Sequence, residues 1–144
     1  MKDYKFPKKV KVRLSGIFED KRGKIFNIAN LLFRSCALIK SKKNSIRANH
    51  YHKKDYHVMY VVKGEIDYFY KKIKGKKINY IKVKKNELIY TPPMEIHATY
   101  FPKNTVLIVS SKNPRDQATY EKDTVRVEMI NKENIIYLLK KNAW

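Results

Sequence analysis

Four histidines occur in the chain, and three of them fall in one short stretch, ANHYHKKDYH, from Ala48 to His57. His50 and His52 are two apart. On a β-strand, residues i and i+2 point to the same face, so these two imidazoles converge on one point. A tight turn at Lys53-Lys54-Asp55 would let the next strand present His57 to that point. His97 follows Pro92-Pro93, which fixes a rigid approach to another strand. Four neutral imidazoles gathered this way suit a borderline divalent ion such as Zn, Fe, Ni, Mn or Cu. Two or three of them would suffice, leaving water or substrate the remaining positions. The plainer alternative makes them polar rim residues, with His57 a half-buried cap on the strand it opens. Arg47, just before the cluster, has the fork geometry to clamp a phosphate or carboxylate with two hydrogen bonds. Its plainer role is a surface ion pair.

The elements that must position these side chains read as strands. VKVRL (10–14) alternates and stops at Ser15-Gly16. A turn signal at 20–23 precedes KIFNIA (24–29). RSCALIK (34–40), HVMYVV (57–62), EIDYFYKKI (65–73), INYIKV (78–83), ELIYT (87–91), ATYF (98–101) and TVLIVSS (105–111) follow. In EIDYFYKKI, Ile66, Tyr68 and Tyr70 share one face and Asp67 and Phe69 the other. Short β-branched or aromatic runs at this spacing predict an all-β sandwich or barrel. The segment 112–126 reads as a polar loop; with Tyr120 and two arginines, one of them Arg115, it could cover a site. The tail, NKENIIYLLKKNAW, is the best candidate for a short C-terminal helix, with a final strand as the alternative.

Composition bounds the function classes. The chain has 144 residues, which fits one domain spanning 1–144 with its own hydrophobic core. Eleven Tyr and six Phe argue against disorder. The single cysteine, Cys36, excludes an intramolecular disulfide and an all-cysteine zinc site. No apolar run is long enough to span a membrane, and the basic start lacks the apolar run of a signal peptide, so a cytoplasmic protein is the expectation. The formal charge is +20. The lysines are spread along the chain, and KKIKGKK (71–77) and IKVKK (81–85) read as hairpin rims and strand edges. An anionic small-molecule partner therefore fits better than nucleic acid.

With these residues in place, the chain resembles the cupin superfamily. His50, His52, His57 and Gly64 stand at the positions of the first cupin motif, with His57 at its acidic position. Pro92, Pro93, Met94 and His97 stand at the second, with Met94 where glycine is usual. The order of the motifs and the strands between them match as well. Within that superfamily, IRANHYHK is similar to the RGxHxHK segment of small sugar-metabolism cupins. FEDKRGKIFNI (18–28) is similar to their DxRG segment. These include the 3,4-ketoisomerases of nucleotide-linked keto sugars (WxcM-like) and proteins of surface-polysaccharide synthesis. The resemblance implies a cupin jelly-roll β-barrel and a homodimer. It also implies acid/base chemistry by His50 and His52 on a dTDP-linked 4-keto-6-deoxy sugar, and a diphosphate held by Arg47.

The sequence departs from that pattern at Ala48, where the ketoisomerases have glycine, and at His57, where they have glutamine. A third and a fourth imidazole look more like a metal centre. The expectation is thus a metal-binding enzyme that isomerises or epimerises a sugar or nucleotide-linked keto sugar. Its catalytic candidates are His50, His52, Tyr60 and Tyr68. Its substrate-binding candidates are Arg47, Asn49 and Arg115. The metal candidates are His50, His52, His57 and His97, with Zn, Fe, Ni or Mn as the ion. The alternatives are an iron-dependent cupin dioxygenase and a non-catalytic sugar- or metal-binding module.

Overall fold

The computed structural model describes residues 5–142. In chain order it contains strands β1 (Lys11–Arg13), β2 (Ser15–Asp20), β3 (Gly23–Asn27), β4 (Ser35–Ser41), β5 (Ile46–His52), β6 (His57–Lys63), β7 (Glu65–Lys72), β8 (Asn79–Lys84), β9 (Glu87–Thr91), β10 (Glu95–Tyr100) and β11 (Thr105–Ser111). Helix α1 (Gln117–Asp123), strand β12 (Thr124–Arg126) and helix α2 (Ile135–Asn142) complete the order. One five-stranded sheet runs β1-β9-β6-β11-β4, and a second runs β12-β5-β10-β7-β8. The strand pairs are antiparallel. Strands β2 and β3 form a separate hairpin. Neither five-stranded sheet closes on itself, so the expected barrel is two open sheets among the described residues.

Period-two alternation decides what each sheet buries. Met59 and Val61 on β6, Ile66 and Tyr68 on β7, Ile89 on β9 and Leu107 and Val109 on β11 form one cluster drawn from both sheets. The other face of β7 and β10 supplies Phe69, Ile96 and Ala98 to a second cluster, which Ile135 and Leu138 of α2 cover. Tyr56, Val58, Leu88 and Tyr90 form a third on the other face of the first sheet. The expected division of β7 between Ile66/Tyr68 and Phe69 is therefore the observed one.

Three local expectations change. The turn at 53–55 does not close a hairpin. It carries the chain from β5 in one sheet to β6 in the other, so His57 faces the histidine pair from the opposite sheet. The stretch 112–126 is more than loop: α1 begins at the Asp116 N-cap, whose side chain accepts from the Thr119 amide at 2.9 Å, and β12 then pairs with β5. The strand read over 10–14 does stop before Ser15, but Ser15-Gly16 then begins β2, a strand that was not expected. The tail is helical, as expected, but of the four apolar residues expected to share its inner side, Ile135, Ile136, Leu138 and Leu139, Ile136 is exposed; the lysine-rich strand β8 is a sheet edge.

Candidate functional site

The histidines are placed by an irregularity in β5. Ala48 and Asn49 both adopt left-handed backbone, with φ of 67° and 55°. There the register with β10 shifts, so that His97 opposes His50 while Ala98 opposes Ala48. An extra residue reverses the alternation that follows it. Ile46 packs in the α2-covered cluster, whereas His50, four residues on, turns inward. Asn49 fixes the bulge. Its Oδ1 accepts from the amides of Met129 and Ile130 at 2.9 and 3.0 Å, and its Nδ2 donates to the Ile130 carbonyl at 2.8 Å.

All four imidazoles are buried and adjacent. Ring centroids lie 4.6 Å apart for His50–His52, 4.7 Å for His50–His97 and 4.5 Å for His52–His57. Their outer hydrogen bonds fix which nitrogen remains available. Thr124 spends its hydroxyl proton on the Tyr120 carbonyl at 2.7 Å, so its oxygen accepts from His52 Nδ1 at 3.3 Å. His52 Nε2 is then left buried with no hydrogen-bond partner. His97 Nδ1 donates to the Glu95 carbonyl at 3.1 Å and leaves Nε2 free to accept. His57 Nε2 meets Asp55 Oδ2 at 3.0 Å. Metal-binding histidines commonly have their second nitrogen tied as Nδ1 of His52 and of His97 is here.

Burial, then the neighbouring imidazoles, set the protonation. His50 is held down to about 3 by burial and by His52 and His57. His52 is held down to about 4 by burial and by His57. Burial and His50 also push His97 well below its ordinary value. These three rings are therefore neutral at neutral pH, the form that accepts a proton or binds a metal. Burial raises the Asp55 carboxyl, but the hydrogen bond with His57 and the Asn113 amide outweigh it and hold the group below its usual range. Two groups can hold a divalent ion: His50, His52 and His97, and His52, Asp55 and His57, each with ligand atoms within 4.8 Å of one another.

A cavity of about 130 Å³ opens onto His50, His57 and His97, with Arg47, Arg115 and Tyr120 among its lining residues. Arg47 is exposed and donates through Nε to Ser41 Oγ at 2.9 Å; Arg115, which lines the same cavity, is exposed as well. Tyr68 is fully buried, its ring stacked 6.1 Å from that of His97 and its hydroxyl 2.8 Å from Thr91 Oγ1. Tyr60 is not brought to the histidines. It packs against the cluster on the other face of β6 and donates to Asn86 Oδ1 at 2.8 Å. Asn49 likewise has its amide engaged by residues 129–130.

Sequence reading passed over several residues around the centre. Asp55 was visible only as a turn residue, yet it holds His57. Asp123 accepts from the amides of Lys54 and Asp55 at 2.9 and 3.0 Å and lies 3.6 Å from His52 Nδ1. Tyr120 was named beforehand as part of a segment that could cover the site; on α1 it places its hydroxyl 3.5 Å from His50 Nδ1. Ser111, at the end of β11, pairs in register with His57 on β6, its Oγ buried and without a hydrogen-bond partner. Single polar residues in turns and strand ends carry no motif that would single them out.

No family model and no curated protein matches the chain. Solved structures do. One is QdtA, a sugar 3,4-ketoisomerase from Thermoanaerobacterium thermosaccharolyticum in complex with TDP: 20% identity, 93% of this chain and 96% of that one, TM-score 0.65. Another is a 3,4-ketoisomerase from Helicobacter canadensis: 16% identity, 96% and 98% of the two chains, TM-score 0.65. A third is dTDP-4-dehydrorhamnose 3,5-epimerase from Sulfolobus tokodaii: 16% identity, 79% and 75%, TM-score 0.63. The chain shares the fold of these solved structures.

Proposed function

We propose that this chain is a cupin enzyme that isomerises a nucleotide-linked keto sugar, shifting a carbonyl between neighbouring carbons. The observation that carries the reading is the set of buried, neutral imidazoles facing a cavity with two arginines at its edge. The reaction needs a base to lift the proton beside the carbonyl and a group to return it at the carbon that was the carbonyl. The hydroxyl proton moves between the two oxygens in the opposite exchange, so no oxidant is consumed. His50 and His97, which both line the cavity and oppose each other in register, are the acid/base pair; His52, expected to share that role, does not line the cavity. Arg47 and Arg115 bind the diphosphate. A divalent ion, when bound, supplies positive charge beside the developing enediolate. Tyr68, whose phenol is pushed far up by burial, holds the His97 ring in place rather than giving up a proton.

The two sheets serve as the halves of a jelly roll in one domain, and the expected cellular site is the cytoplasm. Among the described residues no helix is long and apolar enough to cross a membrane. A homodimer fits the β2–β3 hairpin, which exposes Ile17, Phe18, Ile25 and Phe26 and pairs with neither large sheet. The test of the reading is ligand binding: TDP should raise the melting temperature in a dose-dependent way. No shift at millimolar TDP would count against a nucleotide-linked substrate.

A further inference from the structure

The histidine cluster has two sides, and the side chains divide between them. The cavity of about 130 Å³ is lined by His50 and His97 but not by His52. Behind it lies a second void of about 10 Å³, lined by His52, Asp55, Ser111 and Asp123 but by neither His50 nor His97. His57 borders both. A void of that size holds one water or one ion. Two buried polar atoms of its lining residues lack a partner, His52 Nε2 and Ser111 Oγ, on residues 1% and 2% exposed.

We infer that a divalent transition metal is held in this inner void by His52, Asp55 and His57, leaving His50 and His97 to the substrate. His57 Nε2 and Asp55 Oδ2 stand 3.0 Å apart, close enough for one ion to replace the hydrogen bond between them. Ligands at about 2.0–2.2 Å from a tetrahedral ion stand about 3.4 Å apart, so binding would move these two atoms by only a few tenths of an ångström. Each of two ligands is braced from outside: His52 Nδ1 by Thr124 Oγ1, and Asp55 Oδ1 by the Asn113 amide at 3.0 Å. Ser111 Oγ offers a further oxygen.

Two imidazoles and a carboxylate suit zinc or cobalt, and in an open site they would also suit iron and dioxygen. Held apart from the cavity that His50 and His97 line, the ion here anchors the centre and contributes charge. This resolves the doubling of the histidines. The departure at His57 adds a metal ligand, while the isomerase chemistry keeps its own imidazoles on the cavity side. The assignment of the inner site stands on geometry alone; only the role left to His50 and His97 rests on the isomerase reading.

The test is zinc binding to the untagged full chain by equilibrium dialysis, repeated with cobalt to read the visible d–d spectrum. Wild type should bind one ion. Asp55→Asn and His57→Gln should each weaken binding by about 100-fold or more, while His50→Gln and His97→Gln change it by less than about threefold. Thermal unfolding identifies any variant that fails to fold, in which case the other inner-site variant decides. Three results would overturn the inference: no ion bound by wild type, loss in His50→Gln and His97→Gln with retention in Asp55→Asn, or loss in all four. Turnover of a keto sugar is measured separately, so failure of the isomerase reading leaves this result legible.

Discussion

His50 and His97 oppose each other in register on β5 and β10, with their rings 4.7 Å apart and inclined at 87°. Neither strand alone makes this pair. It depends on the bulge at Ala48–Asn49, which turns His50 inward, and on the pairing of β10 with both β5 and β7, which places His97. If the pair carries the chemistry, His50→Gln and His97→Gln each lower kcat on a nucleotide-linked keto sugar by about 10²–10⁴-fold, with KM little changed. Steady-state kinetics read the split; a pure KM effect would assign the two rings to binding instead.

The bulge makes a prediction about stability. Ala48 sits at φ 67°, where a Cβ is unfavourable. Ala48→Gly relieves that strain and loses part of the gain to the greater freedom of the unfolded chain, for a net stabilisation of about 0.5–1 kcal/mol. Asn49→Ala acts the other way. It removes three hydrogen bonds that tie β5 to residues 129–130 and costs about 2–4 kcal/mol. Urea unfolding measures both. If Asn49→Ala left stability untouched but weakened ligand binding, its side chain would belong to the substrate.

The neutral histidines make stability depend on pH. In the unfolded chain these groups titrate near 6.5, but in the fold His50 falls to about 3 and His52 to about 4, with His97 lower still than its ordinary value. Between those limits the unfolded chain binds more protons than the folded one, so acid favours unfolding. The stability conferred by neutral burial is fully present above pH 6.5 and is lost as pH falls toward 4 and below. Metal-free protein should show a melting temperature that is flat from pH 7 to 8 and falls steeply between 6.5 and 4. A flat profile across that lower window would show that the rings are already charged in the fold.

How much of this was legible beforehand depends on the kind of signal. ELIYT and TVLIVSS read as strands and are β9 and β11 to the residue, because alternation or an apolar run is a repeated signal. The face shared by His50 and His52 was legible for the same reason. The passage of the chain between sheets after His52 was not, since HKKDYH fits a hairpin turn and a sheet-to-sheet crossing equally well. Helix α1 was hidden because QATYEKD has no apolar periodicity; its start is set by the Asp116 cap alone. Asp55 and Ser111 act through what they touch at long range, which local pattern does not encode.

The arginines at the cavity edge give a further check. Arg47→Ala and Arg115→Ala should each weaken TDP binding by about tenfold or more, the scale of a lost charge-assisted hydrogen bond. Added salt should weaken wild-type binding in the same direction. Isothermal titration reads both, and unchanged affinity in both variants would remove the arginines from the site.

The most direct measurement of the central claim is turnover itself. The protein is incubated with TDP-4-keto-6-deoxyglucose in deuterated water and the sugar protons are followed by nuclear magnetic resonance. The account predicts conversion to the 3-keto isomer, deuterium entering at the carbon that receives the returned proton, and neither event with His50→Gln. Unchanged sugar with no exchange, from protein that binds TDP, would contradict it.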